Sequence, residues 1–226
     1  MNVLTPQTPE AWNAYVRSFA GWDIYYLCEY AVSMQLHGDG EPLLLCFEHG
    51  AERMCYVVMR SDIADDPRFH GLLPAGRLFD LETPYGYGGP LTDAPLSPEA
   101  QQIFMDELRA YCLEQRIVTQ FLRYHPLLDN HGAVSPMTDT RYLRDTIYMD
   151  TASPELILAN MDSKNRNMVR KAQRSGVTVR KAPMSEYAPF LELYRQTMDK
   201  HSAEDYYTFD TSYFDYLSEQ LSDHAF

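Results

Sequence analysis

Between Lys164 and Lys181 the chain carries seven cations, Lys164, Arg166, Arg170, Lys171, Arg174, Arg180 and Lys181, and no carboxylate. The whole sequence has a net charge of −13, so the rest holds 12 Lys and Arg against 32 Asp and Glu. A compact cation patch on so acidic a chain suits one phosphate-bearing group, because an arginine fork grips two phosphate oxygens and a lysine adds a point charge. The same residues also fit a solvated basic face in the C-terminal half of a helix, where cations offset the helix dipole. Duplex DNA is excluded as a partner, since that binding rests on neutralising many phosphates over a wide surface.

Three further stretches have chemistry-bearing types. Thr83-Pro84-Tyr85-Gly86-Tyr87-Gly88-Gly89-Pro90 matches neither GxGxxG nor GxxxxGK[ST]. It reads either as a cleft-lining loop, whose glycines let a ligand reach the backbone and whose Tyr85 and Tyr87 stack or donate, or as a rigid turn. Arg123-Tyr124-His125-Pro126 follows an expected strand, a common ligand position in α/β sheets, and His125 can exchange a proton near neutral pH. Glu204-Asp205-Tyr206-Tyr207-Thr208-Phe209 makes a binding wall or a hydrophobic plug between helices. The remaining histidines have no metal-ligand spacing, HExxH and GxSxG are absent, and Cys28, Cys46, Cys55 and Cys112 form no CxxC pair. No metal site and no hydrolase triad is expected, and the cysteines read as buried reduced thiols.

These residues need elements to hold them. Thr8-Pro9-Glu10 opens a helix through Trp12, Tyr15, Val16 and Phe19, and a second runs from Ile24 to Leu36 and stops at Gly38-Asp39-Gly40. Pro42–Glu48 and Glu52–Arg60 are predicted as adjacent strands with both faces covered, Arg77–Glu82 as a third, and Asn2–Thr5 as a short one. A helix from Ser97-Pro98 to Arg116, a strand over Val118–Tyr124 and a short strand over Asp145–Asp150 complete the first part. One helix from Ser153 to Gly176 carries the patch, with Ile157, Met161 and Met168 on its packed face and Arg166, Arg170 and Arg174 as an opposite ridge. Val177–Ala182 is predicted as a strand, and helices follow over Ser185–His201 and Asp210–Ser222.

The order of elements restarts after residue 176, which reads as a duplicated unit, complete once and then cut at Phe226. The expected domains are 1–150 and 151–226, the second incomplete. Hydrophobic content of 45% supports a buried core, and no apolar run reaches membrane-spanning length. The opening Met1-Asn2-Val3-Leu4-Thr5-Pro6 has neither a charged nor an apolar signal region, so the expected compartment is the cytoplasm. A sheet left open would present an edge for self-association.

The Thr83–Pro90 loop, Phe121–Leu127, Lys164–Ala172 with Gly176-Val177, and Leu193–Met198 with Tyr206, Tyr207 and Phe209 occur in an order that resembles the Fem-type (FemA/FemB-like) transferases of the GCN5-related acetyltransferase-like superfamily. The resemblance spans roughly residues 20–226. It implies an α/β, acetyltransferase-like mixed sheet flanked by helices, one complete domain and the start of a second. It also implies acyl or aminoacyl transfer to an amine, with peptidoglycan or other cell-envelope precursors as acceptors. The donor would be aminoacyl-tRNA, touching the protein by its acceptor end, or acyl-CoA, with no tightly bound cofactor. The other substrate would be a small molecule or a lipid- or nucleotide-linked peptide. On this basis Arg166, Arg170 and Lys171 would contact substrate phosphates, Tyr85, Tyr87, Arg123 and His125 would line the acceptor cleft, and Lys164, Asn167 and Tyr206 are further substrate-binding candidates. The resemblance names no catalytic base. The acetyltransferase pyrophosphate signature is missing, because Gln173-Arg174-Ser175-Gly176 closes a helix instead of opening one. A binding module without turnover, holding a phosphorylated or nucleotide-linked ligand, and a fragment needing a C-terminal part are the competing expectations.

Overall fold

The computed structural model describes residues 1–134 and 138–225. These form two compact units, one of Met1–Thr140 with Pro183–Phe226 and one of Arg141–Ala182.

The first unit is built on a six-stranded mixed sheet. Its strands are β1 (Asn2–Leu4), β2 (Glu41–His49), β3 (Glu52–Asp62), β4 (Phe79–Glu82), β5 (Leu91–Thr92) and β6 (Ile117–Phe121). The order is β1-β2-β3-β4-β6, with β5 paired to β3 beside β4. All pairs are antiparallel except β4 with β6, which is parallel. Side chains alternate across a strand, so β2 and β3 feed two cores at once. Leu43, Leu45, Phe47, Met54, Tyr56 and Val58 meet Ala100 and Phe104 of α3 (Pro98–Gln115). On the other face Leu44, Cys46, Cys55 and Val57 meet Trp12 and Val16 of α1 (Pro9–Arg17) and Cys28 and Ala31 of α2 (Cys28–His37). Cys46 and Cys55 stand directly opposite each other in the β2–β3 register.

A third core joins Tyr30 and Met34 of α2 to Leu191 of α6 (Ala188–His201) and to Phe214 and Leu217 of α7 (Thr211–Gln220). The helices after Pro183 thus belong to the sheet-bearing unit. Side-chain oxygens cap α3 and α7: Ser97 accepts from the Ala100 N–H at 3.2 Å and Asp210 from the Tyr213 N–H at 3.1 Å. A mixed six-stranded sheet between helical layers agrees with the acetyltransferase-like expectation.

The second unit departs from expectation in its helix. There is no single helix from Ser153 to Gly176 but two, α4 (Pro154–Asn160) and α5 (Ser163–Arg174). Met161 and Asp162 take extended backbone between them, and the Asp162 carboxylate accepts the Asn165 N–H at 2.8 Å, the geometry of a fresh N-cap. Met168, expected on a packed face, is 58% exposed. Residues 145–150 and 177–182 are not strands. Ile147 and Val179 are almost fully exposed, and an apolar alternation becomes a strand only where a neighbour pairs with it and covers a face. Among the described residues no helix is long and apolar enough to cross a membrane.

Candidate functional site

The parallel pair β4–β6 places two of the sequence motifs side by side. Beyond the strands the Thr83 N–H donates to the Phe121 carbonyl at 3.0 Å, the Arg123 N–H to Thr83 Oγ1 at 2.8 Å and the Gly88 N–H to the Arg123 carbonyl at 2.9 Å. The tyrosine-glycine loop and the Arg123–His125 stretch therefore leave the sheet together. Gly86 sits at φ +105°, and a Cβ there would lie 2.5 Å from the Tyr25 ring, so only glycine lets the loop pass this close. Asn130 ties the two segments: its Nδ2 donates to the Gly88 carbonyl at 2.8 Å and its Oδ1 accepts the His125 N–H at 3.1 Å.

His125 is buried and both ring nitrogens are engaged. Nδ1 accepts the Leu127 N–H at 3.1 Å, which leaves the proton on Nε2, 2.7 Å from Asp23 Oδ2. Its ring lies edge-on to Tyr25 and Tyr87 at about 6 Å. His125 ties the Arg123–Leu127 stretch to Asp23, and both of its ring nitrogens are already bonded. The Arg123 side chain is exposed, with Nη1 3.5 Å from the Gly86 carbonyl and its cation 6.0 Å from the Phe121 ring.

The aromatic segment after α6 joins this site. The Tyr85 ring is 5.8 Å from Tyr206, 6.1 Å from Tyr207 and 6.2 Å from Phe209. Tyr30 Oη donates to the Tyr85 carbonyl at 2.7 Å and pins the loop to α2. Tyr85 and Tyr206 remain 36% and 42% exposed, so they form an open wall above a packed base.

At that base lies a residue that motif reading missed. Asp39, 8% exposed, follows the C-terminal turn of α2, and Tyr206 Oη donates to its Oδ2 at 3.2 Å. Burial pushes its carboxyl above the ordinary aspartate range, against the opposing pull of His37, the Tyr206 hydroxyl and the Tyr85 backbone. Glu82, at the end of β4, is pushed up first by burial and then by the Asp39 charge, with Arg123 pulling the other way. Tyr206 is raised by burial and then by Asp39. A signal was available in Gly38-Asp39-Gly40: a carboxylate just past a helix C-terminus sits at the wrong end of the dipole.

The basic stretch divides by role. Arg166 directs Nη1 at the last carbonyls of α4, with Leu158 O at 3.2 Å, Ala159 O at 3.4 Å and Met161 O closer still, so it caps α4. Asn167, Arg170, Gln173 and Arg174 line a hollow of about 550 Å³ along α5. Lys164 and Lys171 are exposed on the same helix. Tyr85, Tyr87, Arg123, His125 and Tyr206 are thus brought together in the first unit, and Lys164, Arg166, Asn167, Arg170 and Lys171 in the second. Among the described residues no group of three or more His, Cys, Asp or Glu is arranged to hold a metal ion.

Residues 129–226 match the family model of the FemAB family. No curated protein and no solved structure matches the chain. The matched stretch contains both the basic helix α5 and the Tyr206 segment, so it is over this C-terminal part that the chain is similar to the FemAB family.

Proposed function

We propose that this protein transfers an aminoacyl or acyl group to an amine, with a peptidoglycan or other cell-envelope precursor as acceptor. The observation that carries the reading is the FemAB match over residues 129–226. The first unit adds chemistry that suits it: partly exposed tyrosines, a buried carboxylate and an exposed arginine close to one another. Attack of an amine on an activated ester or thioester needs the two reactants positioned, a proton removed and an oxyanion stabilised, all of which such side chains supply.

In this reading Tyr85, Tyr87, Arg123, His125 and Tyr206 form the acceptor cleft. Lys164, Arg166, Asn167, Arg170 and Lys171 serve the substrate phosphates, with Arg170 the most available because Arg166 also caps α4. The donor is aminoacyl-tRNA or acyl-CoA, and the reaction runs in the cytoplasm, where both donors are made.

A thermal-shift comparison of the whole chain with a UDP-linked muramyl pentapeptide, an acyl-CoA and an aminoacyl-tRNA tests the reading. A ligand bound only by the folded state raises the midpoint by mass action, by about 2.7 kcal/mol at a hundred times Kd. Stabilisation by the peptide and by one donor, followed by donor-dependent modification of the peptide amine, is the expected result. No response to any of the three overturns it.

A further inference from the structure

The tyrosine cleft contains one feature that packing alone does not explain. Asp39 is a nearly buried carboxylate at the C-terminal end of α2. Both circumstances disfavour an anion. The backbone around it is specialised for the position: Gly40 has φ +106°, and a Cβ there would lie 2.5 Å from the Arg60 carbonyl. Ser61 Oγ donates to the Asp39 carbonyl at 2.9 Å and fixes the residue against β3.

Pinning the Tyr206 segment to α2 does not require this charge. His37 Nε2 already holds the Tyr206 carbonyl at 2.7 Å, and its ring stacks on Phe209 at 4.1 Å. An asparagine at position 39 would accept the Tyr206 hydroxyl equally well without placing an anion in the interior. The carboxylate adds something else. It sits behind a tyrosine hydroxyl whose ring faces solvent, and that hydroxyl oxygen keeps lone-pair capacity for a donor arriving from the cleft.

We propose that Asp39 and Tyr206 form a proton relay at the base of a subsite for a primary amine, walled by Tyr85 and Tyr206. The inference rests on the transferase reading above and adds to it a proton acceptor. In the step, the amine nitrogen bonds to the donor's carbonyl carbon and the bond from that carbon to its leaving oxygen or sulfur breaks. The proton lost by nitrogen passes to Tyr206 Oη as the hydroxyl proton passes to Asp39. Asp39 then returns a proton through Tyr206 to the leaving atom, so the relay ends as it began. Tyrosine faces and a carboxylate also attract the ammonium form of the amine, which gives one proton to solvent before the step begins.

The titratable groups facing Asp39 are His37 and Tyr30 of α2, Glu82 of β4, Tyr85, and Tyr206 and Tyr213 from the C-terminal segment. Any pH profile belongs to this set, and only the part lost on changing Asp39 reports on the relay.

The test uses the full chain and the variants Asp39→Asn and Tyr206→Phe, each of which keeps the shape of its side chain. Ring resonances of ¹³C-labelled tyrosine are followed during titration with Nα-acetyl-lysine methylamide and with its Nε-acetylated counterpart. The free amine is expected to shift Tyr85 and Tyr206 and the acetylated one to leave them in place. Asp39→Asn should weaken that response at least tenfold without lowering the melting temperature. In the transfer assay both variants should lose kcat by about 10²–10⁴, with a smaller change in KM, and Asp39→Asn should remove the acidic limb of the pH profile. Equal response to both probes, or an Asp39→Asn protein with unchanged kcat and pH profile, overturns the relay. Amine binding that depends on Asp39 without transfer from any donor would refute the transferase reading and leave the subsite. Transfer that is indifferent to Asp39 would refute the relay alone.

Discussion

His125 Nε2 lies 2.7 Å from Asp23 Oδ2 while its Nδ1 accepts the Leu127 N–H, so one buried ring ties the Asp23 turn to the Arg123–Leu127 stretch. Replacing His125 by alanine leaves the Leu127 N–H and the Asp23 carboxylate, both partly buried, without their partner. The expected loss is about 2–3 kcal/mol, read as a lower urea midpoint at unchanged slope. Long-range ¹⁵N correlation of the parent protein should show Nδ1 as the unprotonated nitrogen. A protonated Nδ1, or a His125→Ala protein as stable as the parent, would contradict this arrangement.

Asp39 makes a prediction of opposite sign. Its carboxyl is raised by burial above the ordinary value of 3.8, so on raising the pH the unfolded chain releases this proton first. The stabilising contribution of the protonated side chain is complete below the unfolded value and is lost as the pH climbs through the folded one. Asp39→Asn should therefore be more stable than the parent at pH 7, by on the order of 1 kcal/mol, or about 2–4 °C in a chain of this size. The gap should close near pH 4. A variant that melts lower at pH 7 would show that the charge is stabilised in place.

Gly86 combines a left-handed φ with close approach to Tyr25. Gly86→Ala must move either the loop or that ring, at a cost of about 1–3 kcal/mol. The Tyr30–Tyr85 hydrogen bond should loosen with it, visible as new Tyr30 and Tyr85 ring shifts. An alanine variant with parental stability and spectra would mean the loop is less constrained than its geometry indicates.

Arg166 and Arg170 lie one turn apart on α5 and should behave differently. Arg166→Ala removes the cap on α4, so amide exchange in residues 158–161 should quicken several-fold. Arg170→Ala should leave that exchange unchanged and weaken binding of a phosphate-bearing substrate instead. Identical exchange in the two variants would place the α4 terminus outside Arg166's influence.

Much of the frame was legible in the sequence. The continuous apolar runs Leu43-Leu44-Leu45 and Tyr56-Val57-Val58-Met59 marked two strands with both faces covered, and they feed the cores under α3 and under α1 and α2. Proline marked the start of α1 and glycine the end of α2, and the Tyr85, Arg123, His125 and Tyr206 motifs lie near one another. The break at Met161-Asp162 is marked by neither glycine nor proline, and its only sequence signal is the N-cap type of Asp162 beside Asn160 and Ser163. Asp39 escaped notice because its partner Tyr206 is 167 residues away and local pattern carries no information on such a contact. Residues 145–150 and 177–182 have strand-forming residue types but pair with no described strand, and pairing is the part of a strand that its own residues do not encode.

Cys46 and Cys55, facing each other across the two central strands, have a consequence for handling the protein. While the fold holds, both thiols are shielded, and burial pushes Cys46 up to about 12 and Cys55 well above its usual value, so neither reacts. Once the hairpin opens in air they are close neighbours along the chain, and a disulfide closed then spans a pair already opposed in the native register. Alkylating reagents added to an aged preparation would therefore keep a tally of the molecules that have opened at least once.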